Sequence, residues 1–109
     1  MFIGSPRVPV SACLRFFLIM PERTVSVTNR LGLHARAAAR LVQLAGNYRC
    51  QVQLRCVDNQ QPADGKSILG VLLLAASYGT ELVVITSGED EVDALEAICQ
   101  LIAAKFGES

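Results

Sequence analysis

Tryptophan is missing from this 109-residue chain, histidine occurs once, and the other aromatics are four Phe and two Tyr. So few π-faces leave no platform on which nucleic-acid bases stack. No charge of one sign dominates either: ten basic and ten acidic residues cancel, so no overall field draws nucleic acid or anionic lipid. The four cysteines, Cys13, Cys50, Cys56 and Cys99, make no Cys-x-x-Cys pair. With a single histidine beside them they do not complete a Cys/His zinc pattern, so no metal site and no cofactor is expected. They read as small, reduced, buried hydrophobes, with a structural disulfide as the lesser alternative. Long apolar runs are also lacking. The burst Phe16–Met20 falls far short of the roughly 18 residues a membrane span needs. Arg15 interrupts the segment as a signal peptide, and no clean cleavage site follows. These absences leave a small, neutral, cytoplasmic-type module without membrane or nucleic-acid partners.

What is present is apolar and patterned. Hydrophobic residues make up 51% of the chain and charged ones 18%, too apolar a mix for disorder. The first nineteen residues, with Pro6, Pro9 and scattered arginines, stand apart from the rest. Residues 1–19 are expected to be a non-native or disordered extension, with Met20 as the biological start and residues 20–109 as one domain.

Thr24–Thr28 alternates as a half-buried strand, and Asn29–Leu33 forms a loop around Gly32. From Ala35 the period becomes 3.6: Ala38, Leu41, Val42 and Ala45 form one stripe, ended by Gly46 and Asn47. Arg49–Val57 predicts a second strand with Cys50, Val52, Leu54 and Cys56 on one face. A turn at Asp58–Asn59 leads to a short return strand, Gln60–Ala63, which Pro62 assigns to a sheet edge. Ser67 reads as the N-cap of a short helix from Ile68 to about Ala76. Glu81–Thr86 fits a central strand. Ser87 and Asp90 resemble a capping box before a last helix whose stripe is Val92, Leu95, Ile98, Cys99, Ile102 and Phe106. The order β-α-β-β-α-β-α predicts an α+β open sandwich, one sheet covered on one face by helices.

Chemistry concentrates at His34. In most proteins a lone histidine at a loop–helix junction is a surface or capping residue. Its neighbours argue for more. The free amides of Ala35, Arg36 and Ala37 and the helix dipole form an anion site, and the Arg36 guanidinium suits phosphate oxygens. A nucleophilic imidazole beside an anion cradle suits reversible phosphoryl capture. A hydrolase would need a second histidine, an Asp–His pair or a metal cluster, so a free-standing enzyme using His34 as a general base is the weakest reading. Gly65-Lys66-Ser67 imitates a Walker A tail, but Gln60 stands where the first glycine belongs. The helix from Ile68 to Leu74 is apolar all round, so part of it must face outward as a docking surface.

Gly32-Leu33-His34-Ala35-Arg36 and Lys66-Ser67-Ile68-Leu69-Gly70-Val71 together resemble the HPr family, histidine-containing phosphocarriers of the bacterial phosphotransferase system. The resemblance runs from about Met20 to Gly107 and implies a four-stranded antiparallel sheet with three helices. It implies that His34 accepts a phosphoryl group on Nδ1 from phospho-enzyme I, with phosphoenolpyruvate as ultimate donor, and passes it to enzyme IIA-type proteins. Arg36 matches the arginine that contacts the phosphate. Ser67 matches the serine modified in some bacteria by a dedicated kinase/phosphorylase. Ile68, Leu69 and Leu72 match the docking patch for these partners. Ala37 departs from the proline of many members, which removes a little rigidity and leaves the chemistry intact. A monomeric carrier, rather than a turnover enzyme, is expected. The alternative is a regulatory, nitrogen-related or catabolite-control module switched at Ser67.

Overall fold

The structure, a computed structural model, describes residues 21–108. The expectations for residues 1–19, and Cys13, lie outside the described residues. Strand β1 (Glu22–Ser26) is followed by helix α1 (Ala35–Ala45), strands β2 (Gln51–Cys56) and β3 (Pro62–Asp64), and helix α2 (Ile68–Leu73). Strand β4 (Glu81–Ser87), helix α3 (Glu91–Ala103) and a 3-10 turn over Lys105–Gly107 complete the order. The sheet is wholly antiparallel, in the order β1-β4-β2-β3. This is the open-faced α+β sandwich the element order predicts. Among the described residues no helix is long and apolar enough to cross a membrane.

The central place of β4 follows from its composition. Leu82, Val84 and Thr86 face the helices, while Val83 and Ile85 fill the middle of the other face, so the strand is buried on both sides. Register sets Val84 opposite Arg23 on one side and Leu54 on the other. Across this face Val27, Val52, Leu54 and Cys56 meet Ala38, Leu41 and Ala45 of α1 and Leu95, Ile98 and Ile102 of α3. β3 lies at the edge, where the missing N–H of Pro62 does least harm. Cys50, Cys56 and Cys99 are free and buried, and burial pushes each thiol upward, away from the reactive thiolate.

Four local expectations change. Ser87 and Asp90 do not form a capping box. The Asp90 carboxylate instead accepts the Arg49 and Cys50 amides, both at 2.9 Å, and so ties the start of α3 to the start of β2. Glu91 serves the helix end by accepting the Gly88 amide. Gly46 ends α1 in a right-handed conformation (φ −66°) rather than the left-handed one glycine permits. Val92 is 67% exposed and outside the stripe, because it sits at the edge of the helix face that Ala94, Leu95, Ile98 and Ile102 turn to the core. Phe106 does reach the core, but by another route. The helix stops at Ala103, and Lys105 and Phe106 take left-handed φ of 61° and 56°, which drops the ring inward.

Candidate functional site

A tight loop aims the histidine. Gly32 has φ +69°, and a Cβ there would lie 2.7 Å from the Ala76 carbonyl oxygen, so only glycine fits without a shift. The close approach is sealed by the Leu33 amide, which donates to Ala76 O at 2.8 Å. Leu33 is buried, and the next residue, His34, becomes the N-cap of α1 in extended conformation. Its Nδ1 accepts the Arg36 amide at 3.3 Å. The capping reading and the functional one therefore describe the same residue.

The other ring nitrogen has a partner that sequence reasoning missed. Nε2 lies 2.9 and 3.0 Å from the two carboxylate oxygens of Glu108. Because Nδ1 accepts an N–H and Nε2 faces a carboxylate, the hydrogen-bond pattern assigns the proton to Nε2 and the free lone pair to Nδ1. Asn29, fully buried, donates to Gly32 O at 2.7 Å and to Glu108 Oε1 at 2.8 Å. The Asn29 amide first, and then the His34 ring, hold the Glu108 carboxyl below the usual carboxylate range. The Arg36 guanidinium stands 4.0 Å from Glu108 Oε2, with its side chain 66% exposed. Ala35 is exposed beside it, and Ala37 is buried beneath. No local pattern marks Glu108 in the sequence, since it lies 74 positions from His34. Asn29 adjoins the motif, yet reads only as a loop residue.

The second motif lies alongside. Helices α1 and α2 pack together, and the Ala76–Ser77 connection after α2 is the one Gly32 touches. Ser67 caps α2 as expected, its Oγ accepting the Gly70 amide at 3.1 Å. Ile68 and Leu69 are exposed, whereas Leu72 is half-buried against the core and Leu73 faces outward. Leu31, in the histidine's own loop, is also exposed. Apolar side chains thus flank His34 on the side of α2.

A sheet backed by helices places His34 at a helix start with Nδ1 turned to the helix amides, an arrangement suited to holding an anionic group. Comparison with known proteins specifies the class. A family model described as "PTS HPr component phosphorylation site" matches residues 21–104. The phosphocarrier protein HPr of Cupriavidus necator is 47% identical over 89 residues, covering 82% of this chain and 98% of that one. The phosphocarrier protein NPr of Shewanella violacea is 40% identical over 88 residues, covering 81% and 94%. The crystal structure of HPr-C-His from Thermoanaerobacter tengcongensis superposes with a TM-score of 0.78 at 37% identity, covering 83% of this chain and 99% of that one. The chain belongs to the HPr family and is a phosphocarrier protein of the phosphotransferase system.

Proposed function

We propose that His34 is the residue that carries the phosphoryl group, received from phospho-enzyme I and handed to enzyme IIA-type proteins. The observation that carries this reading is the ring's arrangement. Glu108 occupies Nε2, while Nδ1 points its lone pair at the open helix start beside Arg36. In this account the phosphoryl group bonds to Nδ1 and displaces the long contact to the Arg36 amide. That amide and its neighbours at Ala35 and Ala37 then face phosphate oxygens, where the helix N-terminus favours negative charge. The exposed Arg36 guanidinium swings onto the same oxygens as a charge-assisted donor. Ile68, Leu69 and Leu72, extended by Leu73 and Leu31, offer partners an apolar contact next to the reacting nitrogen. The working unit we propose is the monomer in the cytoplasm, which leaves this surface free.

Incubation with enzyme I and phosphoenolpyruvate tests the reading. An acid-labile phosphate should appear, vanish in His34→Ala, and pass to an added enzyme IIA. A chain that takes up no such phosphate, or takes it up equally without His34, ends the proposal.

A second reading rests on Ser67. Its hydroxyl caps α2 beside the docking side chains, so a phosphate there would add a dianion between the apolar surface and an incoming acidic partner. We propose Ser67 as a site for a dedicated kinase/phosphorylase that controls docking. ATP with that kinase should modify Ser67, and Ser67→Asp should weaken partner binding. Unchanged affinity would remove the regulatory role and leave the carrier role intact.

A further inference from the structure

Glu108 meets His34 because several separate elements fix it there. Left-handed Lys105 and Phe106 reverse the chain after α3. Arg40 of α1 holds the reversal by donating to the Phe106 carbonyl. Asn29, buried below the loop, then grips Glu108 Oε1 from the opposite side. The carboxylate side chain is only 15% exposed, and both its oxygens lie on one ring nitrogen.

We infer that Glu108 is a positioning residue for phosphoryl transfer at His34, one that keeps the Nε2 proton on the ring in both the free and the loaded states. The inference rests on the carrier reading above. During loading, the Nδ1 lone pair attacks phosphorus. The N–P bond forms as the donor's bond to phosphorus breaks, and that electron pair returns to the donor. The loaded ring bears phosphoryl on Nδ1 and hydrogen on Nε2, a cationic ring facing a carboxylate. In onward transfer the N–P bond breaks, its electron pair returns to Nδ1, and neutral imidazole departs with the Nε2 proton in place. No proton enters or leaves the ring at either step. A loaded ring that had lost this proton would have to depart as the imidazolate anion, a much poorer leaving group.

An opposite charge at hydrogen-bond distance opposes that loss. Among the described residues the charged groups facing the ring are Glu108, from the C-terminal turn, and Arg36, from α1. Arg36 acts in the opposite sense but is 66% exposed against 15% for Glu108, so the carboxylate prevails.

Chemical phosphorylation of the full chain with phosphoramidate tests this without any partner protein. Nitrogen-15 NMR then follows the pH at which phospho-His34 loses its Nε2 proton. In Glu108→Gln, which keeps shape and an acceptor but removes charge, the midpoint should fall by about one pH unit or more. Above both midpoints, loss of the phosphoryl group to water should slow about tenfold for each unit of that shift. Glu108→Ala should shift the midpoint at least as far, and Glu108→Asp should restore part of it. An unchanged midpoint and rate in Glu108→Gln, in a chain that melts like the parent, would overturn the inference. A failed enzyme I assay would instead overturn the carrier reading, because the phosphoramidate measurement does not involve enzyme I.

Discussion

At the scale of single residues, His34 joins two tasks that usually belong to different side chains. It caps a helix with Nδ1 and, in the role we propose, offers the same lone pair to an incoming electrophile. The cap bond is long, 3.3 Å, so little would be lost if a phosphoryl group replaced it. Arg36 is the residue we propose to gain most in the transfer state, since its guanidinium is 66% exposed and only loosely paired with Glu108, at 4.0 Å. Arg36→Ala should therefore slow transfer by about 2–4 kcal/mol, roughly 30- to 1,000-fold, as for loss of one donor to a developing anion. Its melting temperature should stay near that of the parent, which calorimetry beside a transfer assay would reveal. Asp90 offers a contrasting, purely structural carboxylate. The Arg49 amide above all, helped by that of Cys50, holds its carboxyl below the usual range against the opposing effect of burial. A depressed value in the folded state means stabilisation that is fully present above the unfolded value, about 3.9, and lost as pH falls through the folded one. Urea unfolding between about pH 5 and 2 should show Asp90→Asn less stable than the parent at the upper end and with a shallower acid slope.

At the scale of elements, the pattern of apolar residues was enough to read the order of strands and helices, because period 2 and period 3.6 are local. The Val83–Ile85 run marks a strand buried on both faces, Pro62 marks an edge, and Ser67 marks a cap. Each holds in the structure. Legibility fails where the physics is long-range. Asp90 looks like half of a capping box until β2 is placed beside it. Phe106 looks like the next position of a helical stripe, but the chain reverses at Lys105 and delivers the ring by a left-handed turn. The same reversal brings Glu108 to His34, and no spacing rule connects residues at opposite ends of a domain. The histidine and its arginine were readable as a candidate site because they share one helical turn. Asn29 and Glu108 were not, because only tertiary packing gathers them. Gly32 is the joint between the elements. Gly32→Ala should destabilise the fold by about 1–3 kcal/mol, since it forces a non-glycine residue to positive φ. It combines that strain with a 2.7 Å contact to Ala76 O. Chemical denaturation would measure the loss, and amide shifts of residues 76–77 and His34 would locate it. Loss of the Ser67 cap in Ser67→Ala should cost about 1 kcal/mol by the same assay.

At the scale of the whole molecule, the sheet and the two longer helices form a rigid backing, and α2 is the part that faces outward with apolar side chains. Leu69 is 65% exposed and Leu73 75%, so their replacement touches little of the core. Leu69→Asp and Leu73→Asp should change stability by less than about 0.5 kcal/mol. We expect both to weaken binding to enzyme I, read by titration calorimetry with the chain otherwise intact. Leu41→Ala, at a fully buried position of α1, should do the reverse. It should cost about 2–5 kcal/mol in folding and affect binding only through the folded fraction. In the role we propose, this division, a packed side that holds the ring and an apolar side left for partners, lets so small a domain combine a reactive nitrogen with selective docking.

In the mechanism we propose, Nδ1 of His34 carries the phosphoryl group while Nε2 stays on Glu108. Nitrogen-15 NMR of the chain, labelled in its single histidine and loaded by enzyme I with phosphoenolpyruvate, measures this directly. Phosphorus–nitrogen coupling should appear at Nδ1, with a retained proton at Nε2. Coupling at Nε2, or a phosphorylated chain whose imidazole shows no coupling to phosphorus at all, would contradict it.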